Sequence, residues 1–439
     1  MRQWAVPRAV AVAVVVVSSL VGSQFVGWAQ VDITLERVET RRVTIALAGF
    51  PEFRMAPGGR DLAAEARKIL LRDLAFSGIF DVIPESFLHF DARAVAFGDE
   101  AEVLPSLNRL RVQALLVVHL SERGREITLE GRLYKTGRGT FLMGKRYYGD
   151  PKALRTMVHR LADETVLHLT GERGVANTRI AYVAERGGAK EIYLMDYDGM
   201  NRVLVTGNRS INLSPRFSPD GKFLAYTSYR DGNPDLYLLN LDTGRRVKVS
   251  AFPGLNISPA WSPDGQWLAL SMSKNGGAHI SLMRKDGTKL RRLTRGTNTI
   301  AVSPTFSPNG RQIAFTSDRG GTPQIYVMDV GGTNLRRLTF DGAYNASPRW
   351  SPRGDKIAFV SNRDGSFHIY LMNPDGSRVQ KLTTRGTSED PAWSPNGRHI
   401  IFTSTRTGRK QLYVMHADGS GQQRLTQGEA SYFAPDWSP

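Results

Sequence analysis

Eight histidines, no cysteine and scattered carboxylates set the chemistry open to this 439-residue chain. Without cysteine there is no disulfide framework, thiolate metal site, thiol nucleophile or lipidated cysteine anchor. His159 and His168 stand nine residues apart, not at the i, i+4 spacing that sets two imidazoles on one helix face to hold zinc. A serine hydrolase on an α/β scaffold needs a Gly-x-Ser-x-Gly elbow. The nearest string, Gly419-Ser420-Gly421, has the wrong spacing and falls in a turn. Asp196-Tyr197-Asp198-Gly199 starts like a calcium loop, yet the later ligands and closing glutamate of an EF-hand are missing. Turn chemistry explains it, because Pro374-Asp375-Gly376 and Ala417-Asp418-Gly419 recur at equivalent places. The residues therefore predict no catalytic group, no metal ligands, no cofactor and no enzyme. One grouping stands apart: Tyr432 with Glu389 and Asp390, the aromatic–carboxylate cluster that an enzyme or lectin acting on envelope polysaccharide would require.

The elements that position these residues repeat. Six Pro-x-aromatic-Ser-Pro cores start at Pro215, Pro259, Pro304, Pro348, Pro391 and Pro435, spaced by 44, 45, 44, 43 and 44 residues. The first five cores are each followed by a turn such as Pro219-Asp220-Gly221, an apolar strand such as Ile313-Ala314-Phe315, an alternating strand such as Ile325–Asp329, and a last piece that ends in Leu-Thr in four of them. Four strands at a period of about 40–50 residues describe one blade of a β-propeller. The second to fourth pieces occur once more before the first core, at Ile180–Val183, Ile192–Asp196 and Val203–Thr206, and the chain ends on an orphan first strand, Pro435–Pro439. Joining that tail to the earliest unit gives six closed blades and leaves no open sheet edge.

Propeller ligands meet the loops that converge on the channel mouth. The segments entering each first strand are the candidates here: Asn212 and Ser214; Leu255, Asn256 and Ser258; Val302 and Ser303; Tyr344, Asn345 and Ser347; Glu389 and Asp390; and Tyr432 and Phe433. They vary more than the aromatic-Ser-Pro core, whose tryptophans belong to the packing. Of the net charge of +17, the residues after Gly171 hold 35 Lys/Arg against 22 Asp/Glu, whereas residues 31–170 are nearly balanced. Pairs such as Arg291-Arg292 and Arg336-Arg337 fall in the outermost strands, where they either shield a sheet edge or attract an acidic partner or an anionic envelope surface.

The first 29 residues read as a secretory signal peptide: Arg2 and Arg8, a 14-residue apolar run from Ala9 to Gly22, and small residues around Trp28. The run is shorter than the about 20 residues of a membrane-spanning helix. Export makes the periplasm the expected location and argues against nucleic acid as the partner of so basic a chain. Residues 30–170 read as a small α/β domain: strands at Val43–Gly49, Phe80–Ile83, Ala114–Leu120, Glu126–Tyr134 and Thr140–Tyr148, a helix opening at Asp61, and a last helix from Pro151.

Signal peptide, α/β domain (30–170) and six-bladed propeller (171–439), with Thr178–Val183 and Asp196–Gly199 at the first blade, resemble the TolB family of the Tol–Pal system from end to end. The resemblance implies a monomeric protein-binding scaffold rather than a catalyst. It would dock the peptidoglycan-associated lipoprotein Pal at the propeller mouth, and so be peripheral to the outer membrane. It would engage the inner-membrane protein TolA through the segment after the signal peptide, within Gln30–Thr40 and including Val31, Asp32, Ile33, Thr34 and Leu35. Outer-membrane integrity and invagination during cell division are the implied role.

Overall fold

A computed structural model describes residues 42–50, 61–93, 95–273 and 277–439, and pairs Val10–Ala11 with Arg37–Val38 ahead of them. The signal-peptide reading and residues 31–35 lie outside the described residues. No helix among the described residues is long and apolar enough to cross a membrane. The chain divides into two compact units, Met1–Leu154 and Arg155–Pro439.

The first unit is a five-stranded mixed sheet. β1 (Val43–Gly49) lies parallel to both β2 (Phe80–Val82) and β3 (Ala114–Arg123), and β3, β4 (Glu126–Lys135) and β5 (Thr140–Gly149) run antiparallel. β1 is buried along most of its length, which explains its unbroken apolar run. Helix α1 (Leu62–Phe76) starts where the Asp61 carboxylate accepts from the Ala64 N–H at 2.9 Å, and it buries Leu62, Ala66, Ile69, Leu70 and Leu74. A further helix, α2 (Glu100–Arg109), is absent from the sequence reading. Its acidic first turn and the Val103/Leu107 pair signal it, but Pro105 inside it breaks the pattern.

The second unit opens with helix α3 (Leu154–Thr170) and continues into six four-stranded antiparallel sheets. This helix was expected to close the α/β domain; instead, from Arg155 on it belongs with the ring. Arg155 bonds the carboxylates of Asp196 and Asp198 at 2.8 and 2.6 Å, so these acids form an anchor for the helix. The Asp163 carboxylate takes the N–H groups of Ala176 and Asn177. Glu172 holds Arg353 and Arg398 from two other blades.

The inner strands of the six blades are Ser431–Trp437, Asn212–Phe217, Asn256–Trp261, Ala301–Phe306, Asn345–Trp350 and Ser388–Trp393. Each packs against the inner strands on either side, closing a ring around a central channel. The first blade takes its inner strand from the chain's end: Ser431–Trp437 pairs with Arg179–Arg186, with Trp437 opposite Ile180. Apolar clusters fill the spaces between successive blades, for example Ile325, Val327, Trp350, Phe359 and Tyr370.

The candidate binding site at the channel mouth

Each inner strand carries one extra residue. Its register slips just before the proline, between Leu213 and Arg216 in the second blade and at matching places in the other five. The residue before the proline takes a left-handed conformation although none is glycine: Ser214, Ser258, Ser303, Ser347, Asp390 and Ala434, with φ between +49° and +55°. Such a residue costs on the order of 1 kcal/mol. Six of them circle the channel wall, held by the blades behind them. In two blades the strained N–H is satisfied from the next blade back: Ser347 donates to Thr316 Oγ1 at 3.0 Å, and Ala434 donates to the Asp390 carboxylate at 3.2 Å.

Three rows of side chains follow down the strands. The row at the mouth is Leu213, Ile257, Val302, Ala346, Glu389 and Phe433, half-buried except for the buried Ala346. It makes an apolar collar broken by one carboxylate. Glu389 is paired to Lys410 at 2.9 Å. Phe433 has two ammonium groups near its ring, Lys190 at 6.0 Å and Lys410 at 5.6 Å. Burial opposes the charge on Lys410, but its bond to Glu389 and the nearby Asp390 and Glu185 outweigh it and raise its pKa. The second row is the left-handed one. The third is Arg216, Ala260, Thr305, Arg349, Ala392 and Asp436, the variable residue of the Pro-x-aromatic core. There Arg216 and Asp436 stand 3.8 Å apart, each side chain 16% exposed, and Asp436 accepts the Phe217 N–H of the next blade at 2.9 Å. Burial raises the pKa of Asp390, reinforced by the neighbouring Glu389.

The expected mouth residues separate into groups. Val302, Glu389 and Phe433 lie in the collar, and Ser214, Ser258, Ser303, Ser347 and Asp390 in the strained row below it. Leu255 is half-buried behind its loop, and Tyr344 is exposed, edge-on to Phe367. Asn212, Asn256 and Asn345 are fully buried. Their amides bond inside the blade: Asn212 to Lys190 O, Glu191 and Ser228, Asn256 to Ser250 and Phe252, and the Asn345 nitrogen to Gln324 and Asp341, the Asn345 oxygen alone lacking a partner among the described residues. Tyr432 is only 8% exposed, packed edge-on against Tyr182 beneath the Arg202 guanidinium. The exposed Tyr432–Glu389–Asp390 platform of the polysaccharide reading is therefore not formed. The sequence reading passed over Leu213 and Ile257. Period-two alternation from the buried asparagines would have found them.

The collar offers apolar area, one charge pair and a cation-flanked ring. No cluster of three or more metal-ligating side chains occurs among the described residues.

A family model described as the TolB beta propeller domain matches residues 166–439. Among curated relatives, the Tol-Pal system protein TolB of Geobacter metallireducens is 45% identical over 171 residues, and that of Syntrophotalea carbinolica is 41% identical over 162. These alignments span 38% and 37% of this chain, and the same shares of the relatives' own lengths. The crystal structure of TolB from Acinetobacter baumannii superposes with a TM-score of 0.76 at 28% identity, covering 91% of this chain and 97% of that one. The chain belongs to the TolB β-propeller family.

Proposed function

We propose that the protein is a periplasmic, monomeric scaffold of a Tol–Pal system, exported by its first 29 residues. It binds a Pal-like peptidoglycan-associated lipoprotein at the channel mouth and a TolA-like inner-membrane protein through Val31–Leu35, and it serves outer-membrane integrity during division. The observation that carries the reading is the collar: Leu213, Ile257, Val302 and Phe433 half-exposed around one Glu389–Lys410 pair, on a ring whose relatives are named Tol-Pal system proteins. Glu389 takes a cation from the partner or releases Lys410 to an anion, while the apolar row supplies the buried area.

The test is a pull-down and titration of the mature protein with the Pal-like domain of the same organism. Glu389→Lys and Phe433→Ala should each weaken binding at least tenfold, measured below the melting temperature of each variant because Phe433 also packs against the core of the first two blades and Glu389 pairs with Lys410. Undiminished binding by both places the Pal site elsewhere. Deleting residues 30–40 should abolish TolA capture and leave Pal binding intact.

A further inference from the structure

At the opposite end of the strands from the mouth, a cavity of about 650 Å³ opens between the third and fourth blades. Its floor is apolar, formed by Trp267, Leu282, Phe306 and Val330, and its walls include Pro263 and Pro308 of the two facing hairpin turns. The tryptophan is particular to this blade: the matching residues elsewhere are Phe223, Gln312, Lys356, His399 and Arg179. Two cations stand at the rim. Arg291 donates to the carbonyls of Gly331 and Val330 at 3.1 and 3.2 Å, which fixes the far wall and leaves its charge beside the opening. Lys289 is exposed and has no ion-pair partner among the described residues. The carboxylate that also lines the cavity, Asp264, accepts from Ser262 Oγ and the Gln266 N–H in its own turn, which holds it ionised, so the two rim cations exceed it by one positive charge.

Cavities of about 300–1,000 Å³ with apolar lining and few polar groups are the size of ligand sites. This one lies between two hairpin turns at the ends of neighbouring blades, so it suits side chains delivered by an extended chain. We infer that the cavity docks an acidic peptide segment of a partner protein, an aromatic or branched side chain entering the floor and an adjacent carboxylate meeting Lys289. Charge complementarity selects the acidic segment, and burial against Trp267 and Phe306 supplies the affinity. This site is independent of the mouth and of what binds there.

The test uses the full mature chain and two labelled peptides, acetyl-Asp-Phe-Leu-Asp-amide and its counterpart with lysine in place of aspartate, followed by fluorescence anisotropy. The acidic peptide should bind saturably at one site and at least tenfold more tightly than the basic one. Lys289→Glu, on an exposed turn, should reverse that preference without lowering the melting temperature or altering binding of the Pal-like domain. Trp267→Ala should weaken both peptides. Equal affinity for the two peptides, no saturable binding up to millimolar concentration, or a preference unchanged in Lys289→Glu would each overturn the proposal.

Discussion

Asp436 shows how one variable residue of the repeat acquires a role that its neighbours lack. In two blades the matching position holds alanine, and in the fourth blade Thr305 accepts the Trp350 N–H of the next blade at 3.3 Å. Asp436 does the same for Phe217 while carrying a charge deep in the channel. Burial outweighs the attraction of Arg216 and pushes its pKa up to about 6 from the ordinary 3.8; burial likewise lowers that of Arg216. A native carboxyl that holds its proton more tightly than the unfolded chain contributes stability that is complete below about pH 4. That contribution is lost as pH rises through about 6. A shift of about two units corresponds to roughly 3 kcal/mol across that window. The buried His279 and His368, whose pKa values burial lowers, act in the opposite direction near pH 6, so the total slope is not diagnostic. The difference is: the melting temperature of the native chain minus that of Asp436→Asn should grow as pH falls from 7.5 to 5. A difference constant across that range would mean that Asp436 ionises like an exposed carboxylate.

The recurring letters of the repeat each close a specific hydrogen bond. The threonine that ends a blade, after leucine in four cases and after Val205 in the first blade, supplies a hydroxyl that accepts a buried third-strand N–H: Thr206 from Ile192, Thr294 from Ile280, Thr339 from Ile325, Thr383 from Ile369 and Thr426 from Leu412, all between 2.8 and 3.0 Å. Thr339→Val keeps the shape but orphans the Ile325 N–H, while the Gln324 side-chain oxygen loses the hydroxyl and keeps only the Asn345 amide. It should cost about 1–3 kcal/mol in denaturant unfolding. The tryptophans are core, as their recurrence implied, and two of them also join blades: Trp261 Nε1 donates to Arg216 O and Trp393 Nε1 to Arg349 O. Trp393→Phe should therefore lose about 1 kcal/mol beyond its lost packing, whereas a purely apolar role would show the packing loss alone. The outer arginines have a use that composition did not reveal. Arg291 and Arg336 reach carbonyls of the following blade, and Arg202 and Arg246 those of the preceding one. These four arginines thus stitch neighbouring blades at their rims. The outermost strands are mostly two residues long, which itself blunts the edge.

At the scale of the whole molecule, what was legible in the sequence is what repeats. Six proline cores in near-constant register gave the blades, and the missing first piece at one end matched the orphan piece at the other. Features that occur once were harder to read. The partition of helix α3 depends on Arg155 meeting Asp196 and Asp198 some forty residues away, and the burial of Tyr432 depends on Tyr182 of the neighbouring strand, 250 residues earlier in the sequence. No local pattern encodes such contacts. The mouth was legible as a set of loops, but which side chains face the channel follows from a bulge and a left-handed residue, a conformation serine, aspartate and alanine do not announce. Closure joins the two kinds of information. Ser438 Oγ accepts the Arg179 N–H at 2.8 Å, the role Ser218, Ser262, Ser307 and Ser394 play within their own blades, and Trp437 Nε1 donates to Thr178 Oγ1 at 2.7 Å. Deleting Tyr432–Pro439 would strip these bonds, expose the Arg179–Arg186 edge, and remove Trp437 from the core of the first blade. A closed ring distributes that loss over all six blades, because each inner strand is wedged between two others. Thermal unfolding of the truncated chain should therefore show a sharply lower midpoint with concentration-dependent aggregation through the bared edge. If the terminal strand were an appendage on an otherwise complete ring, the midpoint would stay within a few degrees and the chain would remain monomeric.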